Sequence, residues 1–331
     1  MKTPIQNALA AACTLAFATL PAFAQQPTNA AADTKPAQVS ILTRGSDLLA
    51  LSERVPYKKT PQGELCLYIL RPVPAAMAAQ KPLPAIIYFT GGGWVNGTPD
   101  SMMGNVEWFR EQGIIGISAD YRVKSRHGTS PVECVKDAKS AIRFVRKNAK
   151  QLGIDQNLII AAGGSAGGHI AAAAVLPGND EPDEDTSVSS RPNALVLHNP
   201  VLGLGFREDF FAAHPDCSPI LGVGPGWPPT ILMNGTADTT TPYAAAEEFV
   251  KKMTAAGNVC ELITMQGGQH SCDWPATNPN FRPSLTKMTE FLRKNAIIPP
   301  PPAMLALPYR DDFQGDEIGK TQRSLPGDIL R

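Results

Sequence analysis

The stretch "LIIAAGGSAGGHIAAAAVL", Leu158 to Leu176, constrains the fold more than any other part of the chain. It opens as a continuous apolar run, passes through a cluster of glycines around Ser165, and closes as an alanine-rich helical pattern. A continuous apolar run suits a strand buried on both faces. Glycines at Gly163 and Gly167, two residues either side of the serine, fit a sharp strand-to-helix turn of the G-x-S-x-G type. Bulkier residues there collide with the adjoining strand and helix, so the turn demands glycine. A phosphate cradle is the competing reading. It fits poorly, because there is no G-K-[ST] ending and the motif comes late in the chain, after a long helix.

The rest of the chain continues the same alternation. "RVPYKK" and "ELCLYILRP" flank "TPQG" and read as a hairpin. "LPAIIYFT" and "GIIGISAD" read as buried strands, with a helix near Met102 to Gln112 between them. "SPVECVKDAKSAIRFVRKNAKQLG" reads as one helix, with Ser130 as cap, Pro131 first, Glu133 completing a capping box and Gly153 ending it. "ALVLHNP", "PPTILMNG" and "VCELITMQ" are further strands, while "PYAAAEEFVKKMTAAG" and "FRPSLTKMTEFLRKNA" are helices. This alternation predicts an α/β fold: a mainly parallel twisted sheet with helices on both faces. The acidic stretch "NDEPDEDTSVSSRP" is too polar to bury and reads as a solvated excursion, and "NPVLGLGFREDFFAAHPDCSPI" as an insertion overhanging the site.

Four segments follow from composition. Residues 1–24 carry Lys2, a short apolar core and the "AFA" cleavage pattern ending at Ala24, and read as a secretory signal peptide. Cys13 lies inside that apolar core, which argues against a lipoprotein anchor. Residues 25–40 read as a disordered leader and 41–298 as the folded domain. Residues 299–331 read as a proline-rich linker and tail, because consecutive prolines cannot continue a helix. The expected location is therefore secreted or periplasmic. No later segment is apolar for long enough to span a bilayer, so no membrane association is expected after cleavage. The formal net charge is +0, which gives no basic footprint for nucleic acid. Cys66, Cys134, Cys217, Cys260 and Cys272 follow Ala24, an odd count. Cys66 and Cys260 sit in strand-like runs as buried thiols; Cys217 and Cys272 lie in loops, and a bond between them is left open.

A serine hydroxyl attacks only when a base takes its proton. After a nucleophile turn of this kind the acid and then the histidine follow in the chain, each just past a strand. Asp238 follows "ILMNG" and His270 follows "ELITMQ", so Ser165, Asp238 and His270 form the candidate triad. His169 lies one turn into the helix after Ser165 and reads as a packing residue, whereas His127 and His214 lie in loops before the acid and are candidates to line the site. Asp120 ends a strand before the serine and reads as a support for the neighbouring loop. An oxyanion hole needs backbone N–H groups. Ala166, after the nucleophile, and Gly92 and Gly93 in "TGGGWVNG" are the candidate donors. Trp94 reads equally as a wall of the acyl pocket or a packing residue; with the strand-end His198 it is a candidate substrate contact.

"GGGWVNGTP", "ADYRVKSRHGTSPVECVKDAKSAIRFVRKNAKQLGID", "GGSAGGH", "GTADTTTP" and "GGQH" together resemble the bacterial α/β-hydrolase esterases near the hormone-sensitive-lipase group and the acetylxylan and feruloyl esterases. The resemblance runs from about Val55 to Asn295. It implies a triad of Ser165, Asp238 and His270, an oxyanion hole from Gly92, Gly93 and Ala166, and neither cofactor nor metal. It implies a small-molecule or polysaccharide ester as substrate. Two positions depart from the family pattern. Thr90 stands where relatives carry a histidine that braces the oxyanion loop, and "SCDWP" follows His270 where they carry small or aromatic residues. The closing "RDDFQGDEIGKTQRSLPGDILR" resembles the first strand of glucanase-like β-sandwich modules over that short stretch alone, and reads as a tail. A prolyl-oligopeptidase-type peptidase shares the triad order, but the chain has no room for the propeller such enzymes carry. A non-catalytic binding module is the remaining alternative, and such modules usually lose a triad member.

Overall fold

The computed structural model describes residues 45–72 and 82–300. The expected signal peptide and leader lie outside these residues, as do residues 301–331 of the expected tail. Eight strands form one sheet: β1 (Glu53–Thr60), β2 (Gly63–Leu70), β3 (Leu83–Phe89), β4 (Ile115–Ala119), β5 (Ile154–Gly164), β6 (Ala194–His198), β7 (Thr230–Gly235) and β8 (Cys260–Met265). Their spatial order is β1-β2-β4-β3-β5-β6-β7-β8. The β1–β2 and β2–β4 pairs are antiparallel, and every pair from β4–β3 onward is parallel.

Helices cover both faces. They are α1 (Gly45–Leu51), α2 (Met103–Glu111), α3 (Lys124–His127), α4 (Pro131–Lys147), α5 (Ala149–Leu152), α6 (Ala166–Ala173), α7 (Glu208–Ala213), α8 (Tyr243–Ala255) and α9 (Phe281–Lys294). Side chains alternate across each strand. In β3, Ile86 and Tyr88 join α1, α2 and α9 through Leu48, Val106, Phe109 and Leu292. Ala85, Ile87 and Phe89 join α4, α6 and α8 on the other face through Ala138, Ile170 and Phe249. All seven β3 residues are buried, as its unbroken apolar run requires.

The capping box at α4 forms as its sequence predicts, with Ser130 and Glu133 satisfying each other's backbone N–H groups. The helix ends at Lys147 rather than at Gly153: Asn148 leaves the helical conformation, with φ −100° and ψ 15°, and its side-chain amide donates to the Phe144 carbonyl at 2.8 Å. One more helical turn, α5, then runs to Gly153 in the left-handed conformation. The acidic stretch after Gly178 is exposed at Asp183, Asp185, Thr186 and Ser187, as expected of a solvated excursion, but it is anchored at its start. Glu181 bridges Arg122 and Lys58, and Asp180 pairs with Arg143 at 2.7 Å. The basic side chains of α4 and of the segment after β4 supply the partners that local sequence does not reveal. No disulfide joins Cys217 to Cys272; both are free thiols, as are Cys66, Cys134 and Cys260. Burial pushes the Cys217 thiol up to about 12.

Candidate active site

The site lies at the C-terminal ends of the parallel strands, where an open α/β sheet presents its loops. β5 ends at Gly164 and α6 begins at Ala166, leaving Ser165 alone at the turn with φ 52° and ψ −119°. That conformation is costly for a residue with a side chain. The surroundings leave no alternative. A Cβ at Gly167 meets the Phe89 carbonyl oxygen at 2.1 Å, and one at Gly163 meets the Gly167 carbonyl carbon at 2.5 Å. The Ser165 N–H donates to the His198 carbonyl at 2.8 Å, which ties the turn to β6.

His270 and Asp238 converge on Ser165. His270 Nε2 lies 3.1 Å from Ser165 Oγ, and His270 Nδ1 lies 2.9 Å from Asp238 Oδ2. If Nδ1–H donates to the carboxylate, Nε2 is left to accept the serine proton. Asp238 is heavily supported. The Thr240 and Thr241 N–H groups each donate to Oδ1 at 2.8 Å, and Thr241 Oγ1 and Asn199 Nδ2 donate to Oδ2 at 2.8 and 3.1 Å. Burial alone raises its pKa, but the hydrogen bonds from His270 and Thr241 outweigh that, holding the carboxyl below its ordinary value. Asp238 therefore stays ionised beside the imidazole. Thr241 and Asn199 went unnoticed in the sequence; Thr241, three residues after the acid, follows the usual side-chain-to-turn pattern.

The oxyanion-loop candidates stand against the nucleophile. A Cβ at Gly91 would lie 3.4 Å from Ser165 Cβ, so the loop passes close to it. Gly92 has φ 121° and Gly93 φ 62°. Among the described residues no hydrogen bond takes up either N–H. Ala166 opens α6, where first-turn N–H groups have no partner within the helix. Thr90 is buried, and its carbonyl accepts from Tyr121 Oη at 2.7 Å. The loop is braced from elsewhere: Lys124 and Ser125 N–H groups donate to the Trp94 and Val95 carbonyls, and Arg126 joins the Gly97 carbonyl to Asp120. Asp120 thus supports this loop.

Trp94 is a packing residue and not a pocket wall. It is 1% exposed, with φ 61°. That φ turns the ring into the core, where Nε1 donates to His169 Nδ1 at 3.2 Å and the ring meets Phe206, Phe210 and Phe211. His169 in turn hydrogen-bonds the Cys217 carbonyl through Nε2 at 2.8 Å. Burial drops its pKa to about 4, so it is neutral at pH 7. His127 and His214 stay outside the cavity: His127 accepts from the Val123 N–H, and His214 lies against Phe210.

A cavity of about 510 Å³ opens beside Ser165. Gly92, Gly93, His198, Phe206, His270 and Trp274 are among its lining residues. His198 lines it as expected, but nearly buried and held through Nδ1 by Asp273 Oδ2 at 2.6 Å. Asp273, in the divergent "SCDWP", is a site residue the sequence reading passed over. Among the described residues no His, Cys, Asp or Glu cluster could hold a metal ion.

The chain is similar to known esterases in sequence and in fold. The BD-FAE family matches residues 73–199. Esterase LipC of Mycobacterium tuberculosis is 30% identical over 58% of this chain and 54% of its own length. A probable isoprenylcysteine alpha-carbonyl methylesterase of Oryza sativa subsp. japonica is 28% identical over 65% of this chain and 56% of its own. The chain thus spans about half the length of these two relatives. Thermogutta terrifontis esterase 2 phosphorylated by paraoxon superposes with TM-score 0.71 and 40% identity, over 76% of this chain and 97% of that one. The chain belongs to the bacterial α/β-hydrolase esterases. A propionate-bound structure of the same Thermogutta terrifontis esterase matches with TM-score 0.69 and 38% identity, covering 75% of this chain and 96% of that one. The α/β-hydrolase fold expected from the motifs is the one observed. Within the family fold, the parallel strands β5, β7 and β8 deliver Ser165, Asp238 and His270 in chain order.

Proposed function

We propose that this chain is a serine carboxylesterase that cleaves short-acyl esters, acetyl or feruloyl groups on plant polysaccharide among them, through an acyl-enzyme. The observation that carries the reading is the continuous hydrogen-bonded run from Ser165 Oγ through His270 to Asp238, at 3.1 and 2.9 Å. His270 Nε2 takes the serine proton as Oγ attacks the ester carbonyl, and Asp238 stabilises the imidazolium that forms. The carbonyl oxygen gathers negative charge facing the N–H groups of Gly92, Gly93 and Ala166. Collapse expels the alcohol, which receives the proton from His270. Water, deprotonated by the same imidazole, then attacks the acyl-Ser165 ester and releases the acid.

The cavity of about 510 Å³ has room for the ester group together with a bulky alcohol. Propionate and butyrate complexes of the solved relative support a small acyl group. The motif resemblance to acetylxylan and feruloyl esterases supports a plant-polysaccharide ester. The N-terminal pattern ending at Ala24 supports export to the periplasm or medium. Turnover of 4-nitrophenyl esters of increasing acyl length, by the protein and by Ser165→Ala, tests the reading. Rates peak at two to four acyl carbons, and the variant falls by at least about a thousandfold. A preference for long acyl chains removes the substrate class. Faster cleavage of an aminoacyl anilide than of an acetyl ester assigns a peptidase instead.

A further inference from the structure

Beyond the triad, one wall of the cavity holds a second polar relay. Asn105, His198 and Asp273 all line the cavity, and all three are more than nine-tenths buried. Tyr88, fully buried behind them, connects the group. Its hydroxyl lies 3.3 Å from His198 Nε2, and the Asn105 side chain acts on the same hydroxyl. His198 Nδ1 lies 2.6 Å from Asp273 Oδ2. When His198 Nδ1–H donates to Asp273, Nε2 is left to accept from the Tyr88 hydroxyl.

This leaves the two ends of the relay unmatched. Asp273 Oδ1 and Asn105 Oδ1 are buried, and neither has a hydrogen-bond partner in the protein. A buried acceptor without a donor is costly, and a carboxylate oxygen more so. The Tyr88 hydroxyl and the His198 Nδ1–H are both consumed within the relay. Both residues line the cavity, so a donor bound there is the partner that the protein itself does not supply to these two oxygens. Trp274 adds an aromatic surface at the same cavity, 40% exposed, with its Nε1–H held by the Ser101 carbonyl at 3.0 Å. Two acceptors beside an aromatic face are the recognition chemistry of a hydroxylated ring.

We propose that Asp273 and Asn105 form a subsite for hydroxyl groups of the ester substrate, with His198 and Tyr88 as the residues that position them. The inference rests on the esterase reading and narrows it to hydroxyl-bearing esters. The subsite's hydrogen bonds lie away from the reacting carbonyl, so they act as uniform binding and appear chiefly in KM.

The test compares kcat/KM on esters that differ in one group: 4-hydroxycyclohexyl, 4-aminocyclohexyl and cyclohexyl acetate on the alcohol side, and methyl 4-hydroxycinnamate against methyl cinnamate on the acyl side. The protein should favour the hydroxylated member of at least one set by about tenfold or more. The set showing the preference identifies the side of the ester that occupies the subsite. Asp273→Asn and Asn105→Leu should each shrink that ratio to about threefold or less, mainly through KM. A purely structural role for either residue lowers both members of a set alike and leaves the ratio unchanged. Should one variant fail to fold, the ratio in the other decides. Equal rates on both members by the unaltered protein, an unchanged ratio in the folded variants, or preference for the amino ester overturns the proposal. Hydrolysis of 4-nitrophenyl acetate with equal rates in every set overturns the subsite but leaves the esterase reading standing. Hydrolysis of no ester at all removes both.

Discussion

Acid should weaken this fold through one histidine well away from the solvent. His169 is fully buried on α6, accepting from Trp94 Nε1 and hydrogen-bonding the Cys217 carbonyl through Nε2. Both ring nitrogens are engaged in the neutral form. A proton on Nδ1 would oppose the Trp94 donor and place a charge in an apolar core. Burial accordingly lowers its pKa from 6.5 to about 4. Between those values the unfolded chain binds a proton that the folded chain refuses, so stability rises with pH. The contribution is complete above about pH 6.5 and is lost as pH falls toward 4, amounting to about 3 kcal/mol at about 1.4 kcal/mol per pH unit. Urea unfolding at pH 7.5, 6.5, 5.5 and 4.5 measures it. The unaltered protein should lose about 2–3 kcal/mol from this group over that range. His169→Gln, whose amide can still accept from Trp94 and donate to Cys217, should start lower at neutral pH and fall less steeply. Parallel pH profiles for the two proteins, or an NMR titration placing His169 near 6.5, would refute the reasoning. The site is involved too, because the same contact fixes the loop carrying Gly92 and Gly93 to the helix that follows Ser165.

Three further outcomes follow from packing and pairing. Gly167→Ala places a Cβ 2.1 Å from the Phe89 carbonyl oxygen, so thermal unfolding should show a loss of about 2 kcal/mol or more, while Gly224→Ala, with no atom within 4 Å, should be nearly neutral. Asp137 has a fully buried side chain holding both Lys58 and Arg122, so Asp137→Ala should cost about 3–5 kcal/mol in denaturant titration; Lys147→Ala, which breaks an exposed pair, should cost less than about 1. All five described cysteines are free, so a reductant should leave the melting temperature unchanged; a drop would reveal a disulfide.

Much of this architecture was legible in the residues because the signals are local. Strand-length apolar runs, the capping box of α4 and the glycines around Ser165 each act within a few positions. Asp238 and His270 were found because each follows a strand, and a parallel sheet brings such loops to one edge. What escaped reading depends on distant partners. Trp94 was undecided between wall and core, and a positive φ together with His169 settles it. The anchoring of the acidic stretch through Asp180 and Glu181 has no local signal, because the partners Lys58, Arg122 and Arg143 lie far away in the chain. Asp273 gave no signal, since its partner His198 ends a strand of its own. The break at Asn148 is one residue's departure from helical backbone angles, and helical periodicity does not register it.

The central claim is that Ser165 is the nucleophile activated by His270, and covalent labelling tests it most directly. Incubation with paraoxon, followed by intact-mass measurement and peptide mapping, should show one diethylphosphoryl group per chain, on the peptide carrying Ser165, with esterase activity lost in proportion. His270→Ala should slow the labelling by orders of magnitude. Full activity without an adduct, or an adduct on a different side chain that accounts for the inhibition, would contradict the account.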